Sequence, residues 1–295
     1  MSRIEKALEK AAKLRESQRI DAPAVAHRDV SVPGDLPSFV TGESVVDPNK
    51  VNTHLVCITD VYSPAAEQYR KLRARILRAT KKDFLNTIMV SSADIGDGKT
   101  VTAINLAVAM AKEMDYTVIL VDADLRKPSV HTYLGIEPKY GLSDYLAGKV
   151  SLPEVLIKTG IGRLVLLPAG SQTDNPAELL SSLKMRDLVD ELKARYKDRY
   201  VIFDSPPLLT VADALSLSGY VDGVLFVLKA FETSQDATEK ALSLLKGCRI
   251  LGAVLNSVPP YLTRSIYPYY YRRYGKDATT KIEIDGDNGK SATGS

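Results

Sequence analysis

A glycine-containing loop between an apolar run and a helical stretch constrains the fold of this chain most. The run Thr87–Val90 leads into the loop SSADIGDGKT, residues 91–100, and the helical stretch Val101–Lys112 follows. Two glycines let the backbone curl so that its N–H groups point at a phosphate, beside the positive end of the helix. We therefore predict a phosphate-binding P-loop, although Ala93 stands where the general pattern has its first glycine. The predicted ligand-contacting residues are Asp94, Ile95, Gly96, Asp97, Gly98, Lys99, Thr100 and Val101.

Further apolar, β-rich runs alternate with helical stretches along the chain. This alternation predicts βαβ crossovers, and hence an α/β fold with a mainly parallel, twisted sheet and helices on both faces. Together with the loop, it is typical of a P-loop NTPase. The predicted strands lie near Leu55–Ile58, Thr87–Val90, Thr117–Val121, Leu164–Leu167, Tyr200–Phe203, Val224–Leu228 and Ile250–Leu255, and the main predicted helices cover 64–79, 100–113, 183–195 and 234–246.

Carboxylates follow two of these runs where the predicted strands end. Asp122 and Asp124 come after one strand, and Asp204 follows another as in a Walker B motif. Parallel sheets bind ligands beyond the carboxyl ends of their strands. Clustered carboxylates repel each other unless a cation lies between them. We therefore predict that Thr100, Asp124 and Asp204 hold Mg²⁺ directly or through water. Lys99 is predicted to bind phosphate, and Asp122 to orient or deprotonate an acceptor group. Asn256, after the last strand, is a weaker candidate for contacting the base of a nucleotide.

Composition changes divide the chain into five segments. Residues 1–20 carry a capping-box spacing and one narrow apolar stripe, which predicts an amphipathic helix that either packs on its own domain or docks on another chain. Residues 21–50 read as a linker, 51–260 as the P-loop domain, 261–274 as a tyrosine cluster, and 275–295 as a disordered tail.

Charge and cysteine content exclude several function classes. The 39 basic and 36 acidic side chains nearly balance, so bulk charge predicts no binding of nucleic acid. The two cysteines and three histidines are scattered, which suggests neither a disulfide framework nor a zinc site. With no apolar run long enough to span a bilayer and no signal-peptide pattern, we expect a cytoplasmic protein.

The combined motifs resemble the deviant-Walker ATPases, and within them the bacterial tyrosine kinases (BY-kinases) of exopolysaccharide systems, in particular the exosortase-associated tyrosine autokinases. The resemblance covers roughly residues 50–274. The P-loop is followed by Asp122-x-Asp124-x-Arg126, the second Walker-type motif, and later by Asp204-Ser205-Pro206-Pro207 and Asp213-Ala214. Glu67, Arg70 and Arg73 match the family's Glu-x-x-Arg-x-x-Arg oligomerisation motif. One departure is Ile95-Gly96-Asp97, where the family often has Pro-Gly-Glu.

The resemblance implies transfer of the γ-phosphoryl group of Mg²⁺-bound ATP to tyrosines of a neighbouring subunit's tail. The implied acceptors are Tyr261, Tyr267, Tyr269, Tyr270, Tyr271 and Tyr274. The resemblance also implies a homo-oligomeric ring and a cognate tyrosine phosphatase. The implied activator is a transmembrane polysaccharide co-polymerase of the chain-length-determinant type, which would recruit the protein to the inner face of the cytoplasmic membrane. The implied process under control is exopolysaccharide polymerisation and export.

Two other functions stay open from the sequence. One is a switch ATPase of the partition or septum-placement type, which hydrolyses nucleotide without labelling protein. That group has a signature lysine where this chain has Asp94. The other is a nucleotide-dependent scaffold of a polysaccharide assembly complex, against which the intact Lys99 and strand-end carboxylates argue. The tyrosine cluster has the alternative interpretation of an aromatic interaction patch, and residues 67–73 that of ordinary helical charge pairs.

Overall fold

Every β-rich run predicted between residues 87 and 255 forms a strand in the computed structural model, which describes residues 42–43, 46–47, 49–113, 115–194, 199–259 and 262. The strands line up in the order β1-β4-β5-β3-β6-β2-β7-β8. Only the β4–β5 pair is antiparallel among the described strands, which confirms the predicted, mainly parallel sheet. The strands are β1 (Gly42–Glu43), β2 (Thr87–Ser92), β3 (Thr117–Asp122), β4 (Ile157–Lys158), β5 (Leu164–Leu167), β6 (Arg199–Asp204), β7 (Gly223–Lys229) and β8 (Ile250–Asn256).

Helices cover both faces of this sheet. The four long helices were predicted within a few residues, whereas most of the short ones were missed because four to six residues are too few to show helical periodicity. No helix of the described residues combines the length and apolarity that crossing a membrane requires. The helices are α1 (Val56–Thr59), α2 (Pro64–Thr80), α3 (Lys99–Ala111), α4 (Val130–Leu134), α5 (Leu142–Leu146), α6 (Leu152–Val155), α7 (Pro176–Ser181), α8 (Leu183–Ala194), α9 (Asp213–Ser218) and α10 (Gln235–Leu244).

Side-chain alternation along the central strands builds one apolar core on each face. On β2, Met89 packs into the core shared with α7 to α10, while Ile88 and Val90 pack into the core shared with α1 to α4. Because both faces are buried, the central strands read as continuous apolar runs. The two cores fix the sheet, and the loops at the carboxyl ends of its strands are left to form a site.

The structure corrects two predictions near the start of the domain. The run predicted as a strand at Leu55–Ile58 is the helix α1, because Leu55 is fully buried and the Cys57 N–H donates to the Asn105 side chain of α3. The predicted linker also ends earlier than residue 50. Gly42–Glu43 pair with β4, and the N–H of the buried Val46 donates to the carbonyl of Thr159. The predicted helix 1–20 and the tail 275–295 lie outside the described residues.

Asp222 ties the start of the P-loop strand to the start of β7. Its carboxylate accepts the N–H groups of Asn86 and Thr87 at 3.0 and 3.1 Å, the Thr87 hydroxyl at 2.8 Å and the Lys193 ammonium. Burial alone would raise the pKa of Asp222, but the hydrogen bonds from Lys193 and Thr87 outweigh it and lower that pKa. The charged carboxylate therefore stabilises the fold.

We expect Asp222→Ala to lower the free energy of unfolding by about 2–3 kcal/mol, because two backbone N–H groups lose their acceptor. Urea denaturation measures this, with Asp190→Ala as control. Asp190 is 65% exposed on α8, so its loss should change stability by less than about 0.5 kcal/mol. Since the folded-state pKa of Asp222 is lowered, its contribution is complete above about pH 4 and disappears as the pH falls through the folded value. Equal effects of the two variants would contradict this role.

Candidate nucleotide and phosphoryl-transfer site

The P-loop connects β2 to α3 and is bent at two glycines. Gly96 and Gly98 have φ values of 90° and 91°, a conformation that side chains disfavour. A Cβ on Gly98 would lie 1.9 Å from Nδ2 of Asn256. The loop therefore passes close against the end of β8 at Gly98, and both glycines take a backbone conformation that other residues rarely adopt.

Asp97 stabilises this loop by accepting a hydrogen bond on each of its carboxylate oxygens. Its Oδ2 accepts the N–H of Asp94 at 3.1 Å, and its Oδ1 accepts the Thr233 hydroxyl at 2.7 Å. Asn256 Nδ2 donates to the carbonyl of Asp97 at 3.0 Å. Two segments distant in sequence, the loop after β7 and the end of β8, thus hold the P-loop in shape. This contact was not predicted for Asn256, and its proposed role in contacting a base stays a prediction.

Lys99 lies among carboxylates at the start of α3. Its Nζ is 3.0 Å from Asp124 Oδ2 and 3.9 Å from Asp204 Oδ1, and its side chain is only 13% exposed. Burial alone would lower the pKa of Lys99, but the charges of Asp204 and Asp124 outweigh burial and raise it. The ammonium is therefore charged and available to exchange a carboxylate for a phosphate.

Asp204 lies beside Thr100 at the end of β6. The Thr100 hydroxyl donates to Asp204 Oδ2 at 2.7 Å. Oδ1 of Asp204 is buried and accepts no hydrogen bond within the part of the chain that the structure describes. Burial raises the pKa of Asp204 despite the opposing charge of Lys99. A cation near this oxygen would relieve its unmet hydrogen-bonding capacity.

Magnesium fits this donor set only if phosphate and water complete its coordination. Thr100 and Asp204 supply a hydroxyl and a carboxylate, oxygen ligands of the kind Mg²⁺ takes. Among the described residues, no three His, Cys, Asp or Glu side chains come together as a metal cage. Mg²⁺ usually keeps several waters and binds one or two carboxylates together with substrate phosphates.

Asp122, predicted to act on an acceptor group, is buried and bonds to backbone N–H groups of its own loop. It is fully buried and does not line the cavity described below. Its Oδ1 accepts the N–H of Asp124, and its Oδ2 accepts those of Ser129 and Val130, all at 3.1–3.2 Å. Burial and the charge of Asp204 raise the pKa of Asp122. It shapes the loop after β3, and its role in orienting or deprotonating an acceptor stays a prediction.

A cavity of about 480 Å³ opens over the P-loop. It brings together Gly96, Lys99, Asp124 and Asn256, which the sequence reasoning had selected, and Ile95 on its rim is 64% exposed. Much of its lining comes from residues that sequence reasoning did not assign to the site. These are His54 before α1, Arg126, Lys127 and Ser129 after β3, Tyr133 on α4, Pro206, Pro207, Thr210 and Val211 after β6, and Lys229 and Ser257 at the ends of β7 and β8.

The predicted oligomerisation residues make contacts within the chain. Arg70 Nε pairs with Glu67 at 2.6 Å, one turn away on α2, and Arg73 pairs with Glu113 at 2.7 Å and donates to the carbonyl of Ala109. The Arg70–Glu67 pair is of the helical kind that the sequence had left open as an alternative, whereas Arg73 reaches from α2 to the residues that follow α3. The role of these residues in oligomerisation stays a prediction. The six tyrosines of the cluster 261–274 lie outside the described residues.

Gly98→Ala should weaken binding of a fluorescent ATP analogue at least tenfold. A side chain at this φ costs about 1–2 kcal/mol, which the P-loop can avoid by leaving this conformation. Restoring the conformation for binding then costs a similar amount, and each 1.4 kcal/mol is tenfold in affinity. The added Cβ must also displace Asn256. Gly247→Ala is the matched control, because Gly247 has φ 97° but a Cβ added there would meet nothing within 4 Å. The control should lose stability and keep nucleotide affinity, whereas unchanged affinity in Gly98→Ala would contradict the assignment of the loop.

Comparisons with known proteins agree with this geometry. A family model described as an AAA domain matches residues 85–246, more than half of the chain. Tyrosine-protein kinase YwqD of Bacillus subtilis is 38% identical over 224 residues, which cover 75% of this chain and 93% of that protein. The kinase domain of Escherichia coli tyrosine kinase ETK shares 32% identity with a TM-score of 0.66, over 71% of this chain and 81% of that one.

A septum-placement ATPase is less similar. MinD of Pyrococcus horikoshii, solved with Mg-ADP, has a TM-score of 0.51 and 26% identity, over 61% of this chain and 76% of that one. The fold is thus shared with nucleotide-binding switches, while identity, coverage and superposition all favour the kinases. The chain belongs to the bacterial protein-tyrosine kinases, the BY-kinase family, and is a nucleotide-binding protein-tyrosine kinase.

Proposed function

We propose that this kinase transfers the γ-phosphoryl group of Mg²⁺-bound ATP to tyrosines in its own C-terminal segment, with the tail of one subunit entering the site of another. The observation that carries the proposal is the position of Lys99. A charged ammonium lies at the base of a phosphate-binding loop, between two carboxylates, under an open cavity.

The described residues divide the work of holding the triphosphate. The N–H groups of the P-loop and Lys99 neutralise the phosphates, as in other P-loop enzymes. Thr100 and Asp204 would hold Mg²⁺, with Asp124 as a further ligand directly or through water. Bound Mg²⁺ would offset part of the charge on the phosphates. Lys99 would leave Asp124 for the phosphates, which frees the Asp124 carboxylate for this role.

The proposed acceptors are the six tail tyrosines, Tyr261, Tyr267, Tyr269, Tyr270, Tyr271 and Tyr274. They are dense in a short segment that also holds Arg272 and Arg273. Each phosphate adds about −1.5 to −2 charges at pH 7, so a few phosphates reverse the charge of this segment. Such a reversal would change how the tail interacts with neighbouring subunits.

We place the enzyme at a membrane-bound polysaccharide machine. The proposed activator is a transmembrane co-polymerase, and a tyrosine phosphatase is proposed to remove the phosphates. The process that they would regulate is exopolysaccharide polymerisation and export. We further propose that α2 contacts the next subunit of a ring. Glu67 and Arg70 keep 27% and 36% of their side chains exposed, so a neighbour can exchange their internal pair for an intersubunit one.

Lys99→Met should reduce autophosphorylation by at least about 10²-fold, the scale of losing one charge-stabilising group.

Separately, replacing the six tail tyrosines by Phe should remove most of the phosphotyrosine without changing nucleotide affinity. Labelled ATP with Mg²⁺, followed by phosphotyrosine detection, measures both. The matched controls are Lys240→Met, on the exposed face of α10, and Tyr62→Phe, a tyrosine that is 73% exposed outside the tail.

Two results would overturn the proposal. Release of phosphate without any labelled protein would indicate a switch ATPase. Undiminished labelling after replacement of the tail tyrosines would place the acceptors elsewhere. Because Lys99→Met leaves buried carboxylates without their cation, its thermal unfolding is measured alongside, so that loss of fold is separated from loss of chemistry.

A further inference from the structure

Arg126 presents a cation to the cavity that the transfer described above does not use. It is the last residue of the Asp-x-Asp-x-Arg motif, it lines the cavity with Lys99 and Asp124, and its side chain is 45% exposed. An exposed arginine usually samples many rotamers, so a fixed one beside a phosphate loop requires a physical cause.

Asp213 supplies that cause. Its carboxylate is 1% exposed and accepts Nε of Arg126 at 2.7 Å and Nη2 at 3.2 Å. This side-on, two-point contact fixes the plane of the guanidinium. No other hydrogen bond or ion pair of Arg126 is found within the described ranges, so Nη1 is left for a ligand.

The loop that carries Arg126 is closed by the two motif carboxylates. Asp124 Oδ1 accepts the N–H of Lys127 at 3.1 Å, and Asp122 Oδ2 accepts those of Ser129 and Val130. The other oxygen of Asp124 contacts Lys99. Arg126 is therefore held on a rigid turn that is linked directly to the phosphate-binding lysine.

Phosphoryl transfer needs positive charge beside the equatorial oxygens of the transferring γ-phosphoryl group. In the step, the bond from the γ-phosphorus to the ADP oxygen breaks and its electron pair stays on ADP, a bond to the phenol oxygen forms, and the phenol proton passes to solvent water. Negative charge spreads over the three remaining oxygens of the transferring group. The buried carboxylates near Lys99 add more negative charge, and within the described residues Arg126 is the guanidinium that lines the cavity.

We propose, resting on the kinase function proposed above, that Arg126 is a catalytic residue that binds the transferring phosphoryl group and that Asp213 is its positioning residue. Nη1 of Arg126 donates to an oxygen of that group while Nε and Nη2 stay on Asp213. Lysine cannot replace arginine here, because an ammonium cannot hold two fixed bonds to Asp213 and present a third donor in a defined direction.

A mixed reaction tests the pocket apart from the tail. The donor enzyme carries Phe at all six tail tyrosines, and the acceptor chain carries Lys99→Met with its tyrosines intact. Arg126→Gln, Arg126→Lys or Asp213→Asn is placed in the donor only. Three quantities are measured: the transfer rate at saturating ATP and Mg²⁺, the affinity for ADP alone, and the affinity for ADP with aluminium fluoride. Arg249→Gln is the matched control. Arg249 pairs with Asp83 at 3.5 Å and precedes β8, at the opposite end of that strand from Asn256.

Arg126→Gln should slow transfer by about 10²- to 10³-fold, the range for one charge-stabilising donor. ADP affinity should stay within about threefold while the gain in affinity from aluminium fluoride is lost. Arg126→Lys should not restore the rate, and Asp213→Asn should lose rate in the same direction by a smaller factor. Arg249→Gln should match the parent.

The proposal fails if Arg126→Gln transfers within about threefold of the parent, or if it loses ADP affinity and transfer in equal proportion. Lower thermal stability of Arg126→Gln and Asp213→Asn with unchanged kinetics would also contradict it, because the Arg126–Asp213 pair would then only connect the loop to α9. If the parent donor itself labels no acceptor, the kinase proposal fails instead, and the two failures are distinguished by that single reaction.

Discussion

The ion pairs of Lys99 are the interaction on which the rest of the site depends. Three carboxylates, Asp122, Asp124 and Asp204, are almost completely buried at the ends of the adjacent strands β3 and β6. Burying one unpaired charge is costly, and here one ammonium serves two of the three. Burial accordingly raises the pKa values of Asp122 and Asp204. A site with this excess of negative charge favours an added cation, and the metal ion of a metal-bound triphosphate is one. The phosphates themselves are anionic and need Lys99 and the P-loop N–H groups.

The same acids also build the loop geometry. Asp122 spends both oxygens on backbone N–H groups of its own loop, and Asp124 divides its oxygens between Lys127 N–H and Lys99. The repeated aspartate of the motif is therefore explained by two different tasks. One residue folds the turn that carries Arg126, and the other connects this turn to the phosphate loop. The two aspartates of the motif thus make different contacts, although the spacing alone would suggest a pair with one shared task.

The sequence predicted the sheet, the P-loop and the three strand-end acids because each depends on local signals: apolar runs, glycine spacing and carboxylates at strand ends. What it could not predict is set by strand order and packing. Asp213 lies 87 residues from Arg126 and meets it only because β3 and β6 are neighbours. Asn256 reaches the P-loop because β8 lies two strands from β2. At Leu55, burial against α3 overrode a β-rich composition.

The end of β8 connects the nucleotide loop to the proposed acceptors. Asn256 contacts the P-loop and lines the cavity with Ser257, and Tyr267 to Tyr274 follow 11 to 18 residues later. At about 3.3–3.6 Å per residue, this length suffices to return to the chain's own cavity. The closure entropy grows only as (3/2)RT ln n, so reach alone does not forbid transfer within one subunit. The proposed transfer between subunits therefore requires a neighbour that presents the tail already oriented, and the proposed contacts of α2 would supply that neighbour.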